Sequence, residues 1–273
     1  MWLPDRAYGL AIIGSGAMGQ GLARGLIAAD VHPPERIVVT DVDKDRLAAF
    51  SEKTGVHTAG NIEAVSRSDT IILAVKPKVV EDVLEEIACY VVPDQVVISI
   101  AAAVKTQQIE SMLKSGVPVI RAMPNLPCIV REGATAITRG RSAQDSHVER
   151  AVAIFGAVGK VLEVPEELID TVTGLSGSGP AYVYMFIEAL TEAGATAGLT
   201  RDQARLLAAQ TVLGAGKMVL ETNEHPARLK DTVANPGGTT LAGLAALERA
   251  AFRAAVLDAV QAAAERAKEL FPD

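Results

Sequence analysis

Short apolar runs rich in valine and isoleucine alternate with segments of helical periodicity from the start of the chain to about residue 165. Strands are predicted at 8–14, 36–41, 69–75, 95–100, 118–123, 134–138 and 160–164. Helices are predicted at 17–29, 44–54, 61–68, 78–91, 106–115 and from about 144 to 158. Strands that are apolar without alternation are buried on both faces, which is typical of a parallel sheet covered by helices. The pattern therefore predicts an α/β domain with a mostly parallel sheet.

Beyond about Pro165 the strand pattern stops and only helical periodicity remains. Helices are predicted at 179–198, 201–222, 241–252 and 254–270. The first of them is apolar on every side, so it lies either at the centre of a bundle within one chain or between two subunits. We favour the shared position, because roughly 100 residues can hardly bury such a helix alone. Two domains are expected, at 1–165 and 166–273, and the second is all-helical and mediates dimerisation.

The sequence GLSGSGP, at 174–180, directly precedes the apolar helix. Glycine and serine favour turns, and Pro180 suits a first helical turn. We interpret this segment as an inter-domain hinge and a helix cap. A contact with a bound cofactor is the alternative interpretation.

The composition of the chain limits which partners it can bind and in which compartment it is expected. The 273 residues carry a net charge of -7, which argues against nucleic acid and membranes as partners. The two cysteines, Cys89 and Cys128, do not make a disulfide framework, so a reducing, cytoplasmic setting is the simpler expectation. The four histidines are scattered without ligand spacing, so no metal site is expected. No apolar run approaches the length of a membrane span, and the N-terminal segment is interpreted as a strand, not a signal peptide.

The sequence GSGAMG, at 14–19, follows the first predicted strand and opens a helix. This context is typical of a dinucleotide-binding turn in a Rossmann-type domain, where the helix start binds the pyrophosphate. Gly14 allows the turn, Gly16 allows close approach of the pyrophosphate, and Gly19 allows the helix to pack on the strand. A glycine-rich turn without a ligand is the alternative. The cofactor contacts predicted here are Ile13, Gly14, Ser15, Gly16, Ala17, Met18 and Gly19.

The second predicted strand ends at Asp41, where a carboxylate accepts hydrogen bonds from the adenosine ribose and repels a 2′-phosphate. This favours NADH as the cofactor. Thr40, Lys44 and Arg46 are close in sequence and offer phosphate contacts, so NADPH stays open. The alternative role for Asp41 is that of a helix N-cap.

The loops after the later strands also lie at the carboxyl edge of the sheet, where ligands bind. Lys76 in AVKP is either a phosphate or substrate ligand or an ordinary exposed lysine. Asn125 in MPNLP either binds the nicotinamide carboxamide or caps a turn, and a cis bond is possible in this loop. The cofactor contacts predicted here are Asn61, Ala74, Val75, Lys76, Pro77, Ala101, Ala102, Pro124 and Asn125.

Six segments occur in the order and spacing of one family. They are GSGAMG, AVKP, VIRAMPNLPCIVREGAT, LIDTVTGLSGSGPAYVY, HPARLKDTVANPGGTT and LERAAFRAAV. With these segments the chain resembles the pyrroline-5-carboxylate reductases over nearly its whole length. The resemblance implies reduction of 1-pyrroline-5-carboxylate to L-proline by hydride transfer from NAD(P)H, the last step of proline biosynthesis. It also implies dimers with interleaved helices, often assembled into rings of dimers.

The resemblance gives the P-G-G-T-T run, at 236–240, a role in holding the substrate. Backbone N–H groups at a helix start suit a carboxylate, and the two glycines expose them. The resemblance implies that Thr240 hydrogen-bonds the ring nitrogen and acts in catalysis, with water as the proton source. A helix capped by threonine after a Pro-Gly turn, without a ligand, is the alternative. The predicted substrate contacts are Asn235, Gly237, Gly238, Thr239, Thr240 and Lys76.

The chain departs from the family pattern at three positions. Asn235 stands where the family usually has serine, which changes the geometry offered to the carboxylate. Ala103 stands where the family commonly has glycine, which is expected to shift the nicotinamide loop slightly. Asp41 differs from the phosphate-binding pattern of the members that prefer NADPH. These departures bear on cofactor choice and substrate affinity more than on the reaction class.

Three other functions compete with this one. A β-hydroxyacid dehydrogenase is disfavoured because the helix at 179–198 contains no lysine, and Lys217 on the next helix is interpreted as structural. A reductase of imines without a carboxylate does not need the P-G-G-T-T run. A dinucleotide sensor that lost the reaction is disfavoured because this run is intact.

Overall fold

The computed structural model describes residues 6–270, which form two compact units. Of the described residues, one unit contains 6–178 and 262–270, and the other is Gly179–Gln261. The predicted domain limit at residue 165 stays a prediction. The predicted outer limits, residues 1 and 273, lie outside the described residues.

Within the described residues, the first unit is built on an eight-stranded sheet. Its strands are β1 (Tyr8–Ile13), β2 (Ile37–Thr40), β3 (His57–Thr58), β4 (Ser68–Leu73), β5 (Val96–Ser99), β6 (Val119–Met123), β7 (Gly133–Arg139) and β8 (Gly159–Glu163). Their spatial order is β3-β2-β1-β4-β5-β6-β7-β8, with every neighbouring pair parallel except β6 and β7. The first six strands have the order of a doubly wound dinucleotide-binding sheet. The predicted Rossmann-type fold is therefore confirmed.

Two features of the sheet were not predicted from the pattern. β3 pairs with β2 over two residues, and both are exposed, so it leaves no hydrophobic signal. β7 runs antiparallel to β6 because only the short connection at 124–132, which contains the 3-10 turn Leu126–Val130, joins them. A parallel crossover needs a much longer connection.

Helices cover both faces of the sheet. They are α1 (Ala17–Ala28), α2 (Lys44–Thr54), α3 (Asn61–Ser66), α4 (Val80–Ile87), α5 (Thr106–Met112), α6 (Asp145–Gly156) and α7 (Ile169–Val172). Phe50 and Phe155 pack with Ile12 in one apolar core. Ile13, the next residue of β1, belongs to a second core with Leu84 of α4. Because successive side chains of a strand point to opposite faces, the buried strands carry a core on each side.

The second unit contains helices and no strands among its described residues. Its helices are α8 (Gly179–Thr196), α9 (Arg201–Thr222), α10 (Pro226–Val233), α11 (Thr239–Arg249) and α12 (Phe252–Leu270), the last of which extends beyond the unit. The predicted all-helical region is therefore present. α10 was not predicted as a helix, although Pro226 at its first position is a favoured helix start.

α8 is the apolar helix that the sequence places either inside one chain or between two. None of its residues is buried within the chain, and Val183, Tyr184 and Met185 are exposed. The interpretation as the centre of a single-chain bundle is therefore wrong. An apolar helix left open in this way supports the alternative, in which a second copy covers it.

The glycine-rich segment at 174–180 is helical over most of its length. Thr173–Gly177 forms a π-helical turn after α7, and Pro180 is the second residue of α8. The division between the two units falls just after Ser178. The role of this segment as a hinge stays a prediction.

Candidate active site

A cleft of about 640 Å³ opens at the carboxyl ends of β1, β2 and β4. The strand order of the sheet reverses here, which is where ligands bind in doubly wound folds. The predicted cofactor contacts that line this cleft are Ile13, Gly14, Gly16, Asp41, Asn61, Ala74, Val75 and Lys76. The loops after three separate strands thus contribute to one site, as expected from the position of the strand ends.

The glycine motif places the start of α1 at the cleft. Gly16 is the N-cap of α1 and supplies no side-chain cap, so the first N–H groups of the helix are available to an anion. A Cβ atom at Gly16 would meet open space, whereas one at Gly19 would overlap the carbonyl oxygen of Gly14. The motif therefore combines a tight helix–turn contact with room for a pyrophosphate. Ala17 is exposed, Met18 is half-buried and Ser15 is buried.

Asp41 is held by four hydrogen bonds at the edge of the cleft. Its Oδ2 accepts from the backbone N–H of Ser15 at 2.6 Å and from the Ser15 hydroxyl at 2.8 Å. Its Oδ1 accepts from the Asp43 N–H at 2.9 Å and from Nη2 of Arg46 at 2.8 Å. The alternative role of Asp41 as a helix N-cap is wrong, because Asp43 caps α2. Asp41 instead joins β2 to the glycine motif.

The protonation state of Asp41 follows from this network. Burial alone would raise the pKa of the carboxyl group, but the hydrogen bonds from Asp43, Ser15 and Arg46 outweigh it and lower the pKa to about 2. The group is therefore ionised at neutral pH. A fixed negative charge thus stands where the adenosine ribose binds in this fold.

Arg46 gives the same edge a positive charge. Of the three residues offered as phosphate contacts, Thr40 and Arg46 line the cleft, and Lys44 is exposed on α2. The hydroxyl of Thr40 donates to Oδ1 of Asn61 at 2.6 Å, and Nδ2 of Asn61 donates to Glu86 at 2.7 Å. The Asn61 side chain is therefore oriented by its neighbours.

Val42 and Glu86 also line the cleft and were not predicted as contacts. Val42 is 97% exposed, directly after Asp41. Its position directly after the predicted strand that ends in Asp41 is the signal that could have marked it, because strand ends line the ligand crevice. Glu86 lies on α4, in a helix with several other acidic residues, so the sequence carries no signal that singles it out.

The loop after β4 lines the cleft, whereas the residues of the loop after β5 are not among those that line it. Lys76 lines it, and Pro77 starts a 3-10 turn. In the loop after β5, Ala101 is buried and Ala102 is half-buried, and the residue after them, Ala103, has a φ of 62°. That left-handed conformation is one that glycine adopts without cost. Alanine thus keeps a glycine-like backbone here.

The loop after β6 is fixed by Asn125. Its Nδ2 donates to the carbonyl oxygen of Ser176 at 3.0 Å, and its Oδ1 accepts from the Ala134 N–H at 2.9 Å. The peptide bonds at Pro124 and Pro127 are trans, so the cis bond considered for this loop is not present. Asn125 is buried and engaged with protein groups on both sides of its amide. Its contact with a nicotinamide stays a prediction.

The P-G-G-T-T run begins α11 in the second unit. Gly237 has a φ of 72°, and the Gly238 N–H donates to the Asn235 carbonyl oxygen at 2.9 Å, which closes a turn. Gly238 is the N-cap, and no side chain caps the helix. The expectation that the threonines occupy the N-cap is wrong, because Thr239 and Thr240 are the first two helical residues. The start of α11 thus offers N–H donors.

The candidate site residues fall into three sets. The first lines the cleft, as described above. The second belongs to the same unit but does not line the cleft, and it consists of Ser15, Ala17, Met18, Gly19, Pro77, Ala101, Ala102, Pro124 and Asn125. The third belongs to the second unit and consists of Asn235, Gly237, Gly238, Thr239 and Thr240. Among the residues that the structure describes, no group of three or more metal-ligating side chains is found. Within the same residues, no helix is long and apolar enough to cross a membrane.

Two family models match this chain. Residues 166–270 match the model described as pyrroline-5-carboxylate reductase dimerisation, and residues 9–115 match one described as NADP oxidoreductase, coenzyme F420-dependent. The two matches cover the helical region and the first part of the Rossmann-type domain. The expected combination of a nicotinamide-dependent reductase domain with a dimerisation domain is therefore present.

Named proteins match over nearly the whole chain. The pyrroline-5-carboxylate reductase of Methanosarcina acetivorans is 44% identical over 96% of this chain and 97% of its own length. The structure of the Coxiella burnetii pyrroline-5-carboxylate reductase is 40% identical, with a TM-score of 0.91 over 98% of this chain and 100% of that one. The structure of a pyrroline carboxylate reductase of Plasmodium falciparum with NADP bound is 33% identical to this chain. Its TM-score is 0.86, and the match covers 96% of this chain and 97% of that one.

These matches extend over nearly the whole chain and therefore over both units. The resemblance first noted in separate sequence segments thus extends to the complete fold. This chain belongs to the pyrroline-5-carboxylate reductase family.

Proposed function

We propose that this protein reduces 1-pyrroline-5-carboxylate to L-proline with NAD(P)H, the last step of proline biosynthesis. The observation that carries the proposal is the 44% identity to a named reductase over 96% of this chain. The chain also contains both the dinucleotide-binding turn and the P-G-G-T-T run. The fold alone would not suffice, because the same Rossmann-type domain serves many reactions. The function therefore rests on the sites.

The first unit holds the cofactor in this proposal. The uncapped start of α1 and the open space above Gly16 fit a pyrophosphate, since N–H donors and the helix dipole favour an anion. When bound, the nicotinamide supplies the hydride. The loops that carry Lys76, Ala101 and Ala102 lie further along the same sheet edge and bear the nicotinamide half.

The start of α11 holds the substrate. The N–H groups of Gly237, Gly238 and Thr239 bind the carboxylate, assisted by Asn235 and Lys76. Thr240 hydrogen-bonds the ring nitrogen, whose bond to the hydroxyl strengthens as the imine becomes an amine. The proton comes from water, directly or through Thr240, because the proposed site contains no strong general acid. Positioning thus supplies most of the catalysis.

We propose that NADH is the better cofactor. The ionised Asp41 carboxylate repels a 2′-phosphate and suits the ribose hydroxyls. Arg46 opposes this preference, because its guanidinium is half exposed and 2.8 Å from Asp41, where it also attracts a phosphate. The expected result is turnover with both cofactors and a lower KM for NADH.

We further propose that the protein is a cytoplasmic dimer in which α8 packs against a partner, with the dimers assembled into a ring. The exposed apolar residues of α8 and the match to a dimerisation model support the dimer. The proposal of a ring rests on the resemblance to the family, whose dimers often assemble into rings. A biosynthetic reductase that consumes NAD(P)H suits the cytoplasm.

Initial rates of absorbance loss at 340 nm test the function. NADH and NADPH are each paired with pyrroline-5-carboxylate and with 1-pyrroline, which lacks the carboxylate. We expect turnover of pyrroline-5-carboxylate with both cofactors and kcat/KM at least about tenfold lower for 1-pyrroline. Equal rates with both imines would instead indicate a general imine reductase. Absence of turnover with either cofactor, despite NADH binding, would indicate a dinucleotide sensor.

A further inference from the structure

A buried arginine joins the sheet to the segment that follows β8. The side chain of Arg121, on β6, is 4% exposed. Its Nη1 lies 3.3 Å from Oε1 of Glu166, and its Nη2 lies 3.8 Å from Oδ1 of Asp170. Glu166 begins a 3-10 turn, and Asp170 lies on α7. A buried guanidinium with two carboxylates fixes both neighbours in place.

Glu166 also caps a helix to which it is not adjacent in sequence. The backbone N–H of Thr106 donates to its Oε1 at 2.8 Å, and the Thr106 hydroxyl donates to its Oε2 at 2.7 Å. Thr106 is the first residue of α5, and the preceding N-cap residue, Lys105, has no acceptor in its side chain. A carboxylate 60 residues further along the chain thus supplies the negative charge that a helix start favours.

The capped end of α5 is also the end of the loop after β5. That loop contains Ala101 and Ala102, then Ala103 with its left-handed backbone. The loop is anchored by β5 at one end and by the Glu166 carboxylate at the other.

Loss of this cap leaves α5 held by Gln108, whose Oε1 accepts from the Lys105 N–H at 2.8 Å, and by the buried Ile109. It removes the contact that ties this end of the loop to the segment after β8, so the loop backbone is less restrained.

We propose that Glu166 is a positioning residue for hydride transfer, because it fixes the loop after β5 against the nicotinamide. This rests on the proposed function, in which that loop bears the nicotinamide half of the cofactor. Hydride transfer is sensitive to small displacements of the reacting groups. Binding of the adenosine half of the cofactor depends on the glycine motif and Asp41, so a displacement of the loop after β5 does not affect it.

The test compares Glu166→Ala and Glu166→Gln with the wild type in the full-length protein. Glu166→Ala is expected to lower kcat by about 10- to 100-fold, while the dissociation constant for NADH changes by less than about threefold. Glu166→Gln keeps a carbonyl oxygen for the Thr106 N–H, so it is expected to recover most of kcat. Glu163→Gln is the matched control, because Glu163 makes an exposed ion pair with Arg139 on β7.

Thr106→Val supplies a second, milder variant that removes only the hydroxyl donor. It is expected to lower kcat by a smaller factor with the NADH affinity unchanged. A folded Glu166→Ala variant with kcat within twofold of wild type overturns the inference, as does an equal loss of kcat and NADH affinity. If Glu166→Ala does not fold, an unchanged kcat in Thr106→Val overturns it. A wild type without turnover overturns the proposed function together with this inference.

Discussion

Asp41 is a side chain that holds two parts of the fold together and that the proposed function also assigns to the choice of cofactor. Its carboxylate links the end of β2 to the glycine motif through Ser15 and is 6% exposed. The hydrogen bonds that hold it also keep it ionised, so the charge that we propose discriminates against a 2′-phosphate contributes to stability as well. The sequence predicted the position of this carboxylate but not the network that orients it, because hydrogen bonds between distant segments leave no local pattern.

The low pKa of Asp41 predicts a pH dependence of stability. Because the folded pKa is about 2 and the ordinary value is 3.8, the ionised group contributes about 2 kcal/mol above pH 4. This contribution is lost as the pH falls through the folded pKa, and about half of it is gone by pH 3. The difference in free energy of unfolding between wild type and Asp41→Asn, from urea titrations, should shrink over this range.

Asp202→Asn is the control for that experiment, since the Asp202 side chain is 90% exposed. Its difference from wild type should be small at every pH. A wild type and an Asp41→Asn variant that lose stability in parallel between pH 4 and pH 3 would contradict the assigned network.

Ala103 carries a backbone conformation that glycine would adopt without strain. Left-handed geometry costs a non-glycine residue about 1–2 kcal/mol, and glycine costs about 0.5–1 kcal/mol in chain entropy. Ala103→Gly should therefore raise the free energy of unfolding by up to about 1 kcal/mol, measured by urea denaturation. Ala102→Gly is the matched control and should lower it, because Ala102 has no positive φ. Equal destabilisation by both variants would count against strain at position 103.

Thr240 carries the catalytic prediction at this scale. Thr240→Ala should lower kcat by about 10- to 1000-fold, because the hydrogen bond that we propose to the ring nitrogen would strengthen in the transition state. Thr232→Ala is the control, since the Thr232 hydroxyl is exposed and donates to the Leu229 carbonyl oxygen of its own helix. Steady-state kinetics would measure kcat for both variants. Equal kcat values would show that Thr240 has no part in the mechanism.

At the scale of elements, two glycines of the motif have different roles. Gly19 allows α1 to pack on the turn, whereas Gly16 leaves space for the proposed ligand. Gly19→Ala places a Cβ against the Gly14 carbonyl oxygen and should destabilise the fold by several kcal/mol. Gly16→Ala places its Cβ in the open cleft, so it should keep the melting temperature while raising the dissociation constant for NADH at least about tenfold. Thermal unfolding measures the stability of the two variants, and fluorescence titration measures their affinity for NADH. If both variants lose stability and neither loses affinity for NADH, Gly16 does not contact the cofactor.

The elements that sequence alone could predict are those with a strong hydrophobic signal. The buried strands follow directly from their apolar runs, and the helices α1 and α6 follow from apolar periodicity. α8 is apolar on every side, so its length rather than its periodicity predicts a helix. β3 is too short and exposed to produce such a signal, and the direction of β7 depends on the length of the turn before it. The candidate site was predictable where it follows strand ends, whereas Glu86 and Glu166 act across long sequence separations that no local pattern reveals.

At the scale of the whole molecule, the exposed apolar surface of the second unit predicts self-association. Met185 on α8 is 74% exposed. A dimer that buries this side chain should weaken when a charge replaces it, because desolvating an unpaired carboxylate is costly. Met185→Glu should therefore raise the dimer dissociation constant at least about tenfold, measured by sedimentation equilibrium.

Leu162→Glu is the control for the dimer, since Leu162 is 55% exposed on β8 of the first unit. It should sediment as a dimer like the wild type. A Met185→Glu variant that sediments like the wild type would place the partner elsewhere.

A crystal structure of the protein with its nicotinamide cofactor and L-proline tests the central claim most directly. The account predicts that the proline carboxylate accepts hydrogen bonds from the N–H groups at the start of α11, with the nicotinamide C4 about 3–3.5 Å from C5 of the ring. Proline bound away from residues 235–240, or these residues remote from the nicotinamide, would contradict it.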